Sequence, residues 1–288
     1  MNYARTSILA VFAVSAFANA DTILVPSEYN TIQEGIDAAV DGDIISVEQG
    51  HYYELINFSG KQITVSSASG LPSNTTIDGN TSSGSVVTFE SGETSASVLE
   101  GFTIKNGSAF TGAGIRIKGA SPVIRNCVVK NNSSGGSGAG IYAENATITL
   151  EDTTVMDNIS GGAGGGLYLK FCEGSITDCA FEENVANRGA GMYIKDSTGD
   201  LTLSDTAFDG NIANIEGGAV YNKASTAVVN DCSFVNNASI QGGAWLSYIG
   251  GDAVITNSVF SNNRATNTGG AAEVRNLSAL QFTQCLFD

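Results

Sequence analysis

Apolar and polar residues alternate along most of this chain, and the alternation recurs in units of about 26 residues from Gly114 onward. Alternation with a period of two is typical of β-strands, and no helical periodicity runs through these units. When the units are aligned, the apolar residues fall into three columns. The first column contains Ile115, Ile141, Leu167, Met192, Val220 and Trp245. The second contains Ile124, Leu150, Ile176, Leu203, Val229, Ile255 and Phe282. The third contains Val129, Val155, Phe181, Phe208, Phe234, Phe260 and Phe287.

A repeat of this length predicts a solenoid. The strands of one unit cannot bury their apolar face alone, whereas stacked coils bury it in a continuous core. Three inward columns predict three sheets. We therefore expect an all-β fold, a right-handed parallel β-helix, as one domain over residues 21–288. Residues 101–288 would form its regular coils, and the last coil is incomplete.

Asparagine also recurs at one turn of each unit. Asparagine tolerates left-handed backbone, and its amide can bond to neighbours above and below. The recurrence therefore predicts an internal asparagine ladder formed by Asn106, Asn132, Asn158, Asn184, Asn211, Asn237 and Asn263.

The beginning of the chain differs from the repeats. Residues 1–20 have the pattern of a cleavable signal peptide, with Arg5, an apolar stretch and a small-residue cleavage site at 18–20. Residues 31–40 place Ile32, Ile36 and Ala39 on one helical face, which predicts a short α-helix that caps the first coils, residues 21–60. We expect an exported protein that is secreted or held at the cell surface.

The composition agrees with a turn-rich, exported solenoid. The chain has 35 glycines, 3 prolines and 42% hydrophobic residues. Its net charge of −16 becomes −17 without the signal peptide, which carries one arginine and no acid. Such a charge disfavours nucleic acid and anionic lipid as partners.

Five cysteines in an exported protein would suggest disulfides. However, four of them share one repeat position, where they alternate with Thr153, Thr206 and Ser258. Coils stack about 4.8 Å apart, so successive cysteines lie about 9.6 Å apart. That separation exceeds the roughly 7 Å limit between Cα atoms of a disulfide. We therefore predict buried free thiols at Cys127, Cys179, Cys232 and Cys285.

Two segments resemble known families. The opening TIQEGIDAAVDGDIISVEQGHYYE, from Thr31, is similar to the opening of the pectin-lyase-like superfamily, which includes pectin methylesterases. The later units resemble repeats of chlamydial polymorphic membrane proteins, which pair GGA[ILV] with FxxN, as in GGAV at 217–220 and FEEN at 181–184. The first resemblance implies a right-handed β-helix and polysaccharide chemistry. The second implies surface display and adhesion.

Catalysis needs residues of its own, whatever the fold. Related hydrolases use clustered aspartates, a Gly-His-Gly and a later Arg-Ile-Lys. Residues 116–118 have the sequence Arg-Ile-Lys. In the repeat register, however, Arg116 and Lys118 are ordinary outward-facing positions on either side of the inward Ile117. His51 is the only histidine and lies outside any Gly-His-Gly. We interpret it as a structural residue of the first coil. A lyase site, with an Arg or Lys base and Ca²⁺ held by acids, has little sequence signature.

Two exterior columns are more informative. One outward position carries tyrosine on four successive coils, and the position two residues later carries lysine, interrupted by Glu144. With Arg116, this strip contains five of the twelve basic residues that follow the signal peptide. Tyrosine rings could stack on sugars, and lysines could pair with uronate or sulfate groups. Alternatively, the tyrosines only stabilise neighbouring strands. The strip comprises Tyr142, Tyr168, Tyr193, Tyr221, Arg116, Lys118, Lys170, Lys195 and Lys223.

A third column consists of aspartates. Like charges one coil apart repel each other and could recruit a cation, and oxygen ligands would suit Ca²⁺. Alternatively, each aspartate accepts turn N–H bonds and stays solvated. The column contains Asp152, Asp178, Asp205 and Asp231.

Three functions follow from these patterns. The first is a non-catalytic β-helix that binds an extracellular polysaccharide or cell-surface glycan, as an adhesin or carbohydrate-binding module. The second is a polysaccharide lyase or related enzyme that acts on an acidic polymer along the same face. The third is a structural repeat segment of a larger protein.

Overall fold

The structure is a computed structural model that describes residues 20–80, 82–197 and 199–288. The predicted signal peptide lies, apart from Ala20, outside the described residues. The described chain winds into a parallel β-helix, because each strand pairs in parallel with strands one coil before and after it. The predicted repeat register is confirmed: Ile115, Ile141 and Leu167 are direct partners on neighbouring strands.

The strands form four sheets, here named A to D. Sheet A contains Thr22–Val25, Ile44–Val47, Thr64–Ser67, Val98–Glu100, Val123–Arg125, Thr147–Glu151, Glu173–Thr177, Leu201–Ser204, Thr226–Asn230, Asp252–Thr256 and Leu280–Thr283. Sheet B contains Gly50–Tyr52, Thr75–Asp78, Thr103–Lys105, Val128–Lys130, Thr154–Met156, Ala180–Glu182, Ala207–Asp209, Ser233–Val235, Val259–Ser261 and Leu286–Phe287. Sheet C contains Ile56–Asn57, Val87–Phe89, Ile115–Lys118, Ile141–Glu144, Leu167–Lys170, Met192–Lys195, Val220–Lys223, Trp245–Tyr248 and Ala272–Arg275. Sheet D contains Ser108–Thr111, Ser133–Ser137, Ile159–Ser160, Val185–Arg188, Ile212–Glu216, Ala238–Gln241 and Arg264–Thr268.

The prediction of three sheets was therefore wrong by one. Sheet D lies between the asparagine turn and the glycine turn of each coil, and its strands pair like those of the other sheets. Its buried residues are small, namely Ser134, Ser160, Ala186, Ala213 and Ser239. A column of small residues gives no apolar signal, so the alternation did not reveal this sheet.

The three apolar columns form the core. The first two lie on sheets C and A, and the third lies on sheet B. Within the third column, Phe181, Phe208, Phe234 and Phe260 stack ring on ring, with centroids 4.6–5.1 Å apart. All four are at most 1% exposed. The column ends at Phe287, which is 48% exposed. The predicted core is thus confirmed, and it becomes less buried at the last coil.

The predicted helix is also confirmed, over Ile32–Ala38. The side chain of Thr31 caps it by accepting a hydrogen bond from the Glu34 N–H at 3.1 Å. Ile32, Ile36 and Ala39 are buried, and the helix contacts the first strands of sheets A and C. It covers core that would otherwise be open at this end.

The asparagine ladder exists, with one correction. From Asn132 to Asn237, each side-chain amide donates to the Oδ1 of the asparagine in the next coil, at 2.9–3.1 Å. Asn106 is not a member. It has a φ of 59° and bonds to Asp78, while the N–H of Gly107 donates to Asn132 Oδ1 at 2.8 Å. In this coil the ladder position lies one residue later than predicted and is occupied by Gly107.

All five thiols are free, as predicted, and Cys127, Cys179 and Cys232 are buried. The predicted burial of Cys285 was wrong, because this residue lies in the last described coil and is only partly covered. The thiols of the column donate to the carbonyl two residues earlier, as in Cys127 Sγ to Arg125 O at 3.2 Å. The hydroxyl groups that alternate with them do the same, as in Thr153 Oγ1 to Glu151 O at 2.8 Å. Cys172 lies in a second buried column, where its N–H donates to Ser197 Oγ.

We expect the folded protein to show one reactive thiol at pH 8, that of Cys285. The thiolate is the reactive form. Burial raises the pKa of Cys127 and Cys179 to about 12 and that of Cys232 to about 11, and it also raises the pKa of Cys172. Titration with a chromogenic disulfide reagent checks this, and unfolding in urea should release all five thiols. More than one fast thiol in the folded protein would contradict the burial of this column.

Candidate functional site

The tyrosines of the predicted strip lie side by side on the outer face of sheet C. Tyr142, Tyr168, Tyr193 and Tyr221 are direct partners on four successive strands. Their rings are stacked, with centroids 4.9–5.2 Å apart and planes within 8° of parallel. Tyr168, Tyr193 and Tyr221 are only 9%, 7% and 3% exposed.

This packing corrects the expected mode of contact. The rings cover each other's faces, so a sugar cannot stack on them. Arg116 lies over the outer face of Tyr142, with Cζ 5.8 Å from the ring centroid. At the other end, Tyr221 packs with Leu246 and with the tilted ring of Tyr248. The stabilising role between neighbouring strands, weighed as the alternative, agrees with this geometry.

The ring edges still carry hydroxyl groups. Tyr142 donates to Glu144 Oε2 at 3.2 Å. The hydroxyls of Tyr168, Tyr193 and Tyr221 make no hydrogen bond to another residue of the described chain, and none of them is fully enclosed. Burial, and next the nearby Glu144, raise the pKa of Tyr142 and of Tyr168 to about 12. Burial likewise raises the pKa of Tyr193 and of Tyr221. These phenols therefore stay protonated at neutral pH and remain hydrogen-bond donors.

The basic residues of the strip lie along the same face. Lys118, Glu144, Lys170, Lys195 and Lys223 occupy one outward position in register. Lys170 pairs with Glu144 at 2.6 Å, whereas the nearest carboxylate oxygen to Lys195 is that of Asp196 at 3.8 Å. Lys118 and Lys223 have no carboxylate within 4.0 Å among the residues that the structure describes. The structure thus brings the predicted lysines together and leaves two of them, Lys118 and Lys223, without an ion pair among the described residues.

Two arginines beside the strip were not predicted. Arg188 donates to Glu216 at 2.7 Å, and Arg275 approaches the other oxygen of Glu216 at 3.2 Å. Arg188 and Glu216 border a shallow depression that is also lined by Tyr193, Tyr221, Lys223 and Tyr248. Arg188 lies just before the glycine turn, and Arg275 lies on the last strand of sheet C. Neither position belongs to a recurring column of the sequence, so the repeat pattern did not indicate these arginines.

The aspartate column occupies a turn. Asp152, Asp178, Asp205 and Asp231 have φ values between 46° and 53°, in the left-handed region that Asp and Asn tolerate. Their side chains are exposed. Within the described residues, no backbone N–H donates to these carboxylates as the solvated alternative expected, and Asp231 accepts only from the Asn230 side-chain amide. No three His, Cys, Asp or Glu residues of the described chain come together as a metal cluster. The recurrence of Asp therefore has a sufficient cause in the backbone, and Ca²⁺ binding stays a prediction.

None of the helices in the described part of the chain is long and apolar enough to span a membrane.

Comparison with known proteins decides the family. The model of the right-handed β-helix region matches residues 27–164 and 139–288, which together cover nearly the whole chain. The chain belongs to the right-handed β-helix family. Membership confirms the fold that the opening segment implied. The similarity to chlamydial repeats stays a prediction.

Several solved structures are similar to this β-helix chain. Pectate lyase Pel9A has 13% identity and a TM-score of 0.46 over 91% of this chain and 79% of its own. The pectin methylesterase from Aspergillus niger has 12% identity and a TM-score of 0.39 over 95% and 87%. A mannuronic acid specific family 6 polysaccharide lyase from the human gut microbiota has 14% identity and a TM-score of 0.39 over 91% and 82%. No curated protein sequence matches the chain.

Proposed function

We propose that this β-helix protein is exported and binds an acidic extracellular polysaccharide or cell-surface glycan along the outer face of sheet C. The observation that carries the proposal is the line of lysines on this face, at Lys118, Lys170, Lys195 and Lys223, in a chain of net charge −16. Among the described residues, Lys118 and Lys223 have no carboxylate within 4.0 Å, and Lys195 approaches Asp196 at 3.8 Å. The signal-peptide pattern of residues 1–20 supports export.

The spacing of the strip favours a polymer over a single sugar. Neighbouring strands lie about 4.8 Å apart, and an extended chain of 1,4-linked pyranose rings advances by a similar distance per ring. One anionic ring could therefore meet one coil. Its carboxylate or sulfate would accept hydrogen bonds from a lysine, and its hydroxyls would bond to the tyrosine Oη atoms. The tyrosines would act through their edges.

We expect the double variant Lys195→Ala/Lys223→Ala to bind polygalacturonate on the order of tenfold more weakly than the parent protein, a loss of about 1.4 kcal/mol. Both lysines belong to the strip. Among the described residues, no carboxylate oxygen lies closer than 3.8 Å to the Nζ atom of either lysine. Affinity electrophoresis in gels with increasing polymer concentration measures the dissociation constant. Added salt should weaken binding of the parent protein, because exposed charges are screened.

The matched control is Arg125→Ala/Arg264→Ala, which removes the same charge from sheets A and D. It should bind like the parent protein. Equal weakening in both double variants would mean that net charge, and not the strip, determines retention. The absence of retention on polygalacturonate, alginate and chondroitin sulfate would overturn the proposal.

A further inference from the structure

A second group of polar residues lies on the outer face of sheet B, at the first coils. His51 Nε2 is 2.7 Å from Asp78 Oδ2, and Lys105 Nζ is 3.5 Å from the same oxygen. Asp78, Lys105 and Lys130 are direct partners on successive strands. His51 and Asp78 are 27 residues apart in the sequence, so the sequence alone did not indicate Asp78 as a partner of His51.

Asp78 determines which ring nitrogen of His51 carries the shared proton. It is 3% exposed. Burial alone would raise its pKa, but hydrogen bonds from Asn106, His51 and the N–H of Asn80, together with Lys105, leave the pKa of Asp78 lowered. The carboxylate is therefore ionised at neutral pH and can only accept. Nε2 of His51 must therefore carry the shared proton.

The aromatic surface at this place is open, unlike that of the tyrosine ladder. The His51 ring stacks on Tyr53, with centroids 4.3 Å apart and planes at 8°. Tyr53 directly follows the strand Gly50–Tyr52 and is 59% exposed, and the His51 side chain is 39% exposed. One face of the Tyr53 ring is covered by the histidine, and the remaining exposed ring can receive the apolar face of a sugar.

Two lysines, Lys105 and Lys130, lie along this surface on neighbouring strands. Lys105 offsets Asp78, and Lys130 has no ion-pair partner among the described residues. Glu54 follows Tyr53 in sequence, but its oxygens accept from the N–H groups of Ile32 and Gln33 at 2.9 Å. The next outward position after Lys130 is the neutral Met156. The surface thus runs from an aromatic ring to a lysine over three strand spacings.

We propose that this surface is a separate binding site for a short acidic oligosaccharide of about three rings, given a coil spacing of about 4.8 Å. The first ring packs on the face of Tyr53 that His51 leaves free. The carboxylate or sulfate groups of the following rings pair with Lys105 and Lys130. The site does not depend on the strip of sheet C, which lies on another face of the helix.

The sole histidine makes the test direct, because the His51 Hε1 proton gives a single resonance in the NMR spectrum. Titration with trigalacturonate should shift it saturably, and a neutral trisaccharide should shift it at least tenfold less at equal concentration. Tyr53→Ala and Lys130→Ala should each weaken binding about tenfold. Lys130→Ala should leave the unliganded resonance in place, whereas Tyr53→Ala should move it, because the stacked ring is lost. An unchanged circular dichroism spectrum shows that the Tyr53→Ala variant is folded. A sulfated trisaccharide tested in parallel distinguishes carboxylate from sulfate recognition.

Three results would overturn the proposal. The first is an unmoved resonance with both acidic ligands. The second is an equal shift with acetate at the same carboxylate concentration, which would show a simple anion effect. The third is unchanged affinity in both variants. The strip variant Lys195→Ala/Lys223→Ala should keep the full response, and loss of the response there would show that the resonance reports on sheet C.

Discussion

The variant Asn184→Ala is expected to lose about 4 kcal/mol of unfolding free energy. Asn184 is completely buried in the middle of the ladder. Its amide donates to Asn211 Oδ1 at 3.1 Å and to Val155 O at 2.8 Å. Its Oδ1 accepts from both the N–H and the amide of Asn158. Alanine would leave several of these groups unpaired in the core, at about 1–3 kcal/mol for each unsatisfied group.

Urea unfolding followed by circular dichroism measures the loss. The matched control is Asn214→Ala on sheet D, where an exposed amide donates to Asn187 Oδ1 at 3.2 Å. This variant should change stability by no more than about 0.5 kcal/mol. If the two variants were equally mild, the ladder would not stabilise the coils, and its recurrence would need another cause.

The ladder also shows how far the sequence specifies this fold. The coils, the strand register and the inward columns follow from apolar periodicity, because stacked coils must place like residues above one another. Asn106 was misassigned because two adjacent residues at this turn are often both Asn. The first has left-handed backbone, as in Asn131, and the second joins the ladder, as in Asn132. The two positions differ in backbone conformation and in hydrogen bonding, and the sequence shows neither.

The candidate sites were less predictable than the fold. The outward register of the tyrosines was correct, but the pattern could not show that rings at this spacing cover one another. In the aspartate column, the recurrence of an acidic residue suggested a binding site, but a left-handed turn is sufficient to explain it. The contact between His51 and Asp78 joins the first two coils, where the units are irregular and no alignment pairs the residues.

The phenylalanine column should contribute as much to stability as the ladder, through packing. Phe208 is completely buried between Phe181 and Phe234, with centroid distances of 4.9 Å and 5.1 Å. Phe208→Ala is therefore expected to cost about 3–5 kcal/mol, from lost burial and the cavity that remains. Phe208→Leu, which refills much of that volume, should cost distinctly less.

The same urea experiment measures this effect, with Phe110→Ala as the control. Phe110 is 77% exposed on sheet D, so its removal should change stability by no more than about 0.5 kcal/mol. A cost for Phe208→Ala close to that of the control would mean that the coils do not share one continuous core. A large cost relieved by leucine would instead show that volume in the column, more than ring-on-ring contact, holds successive coils together.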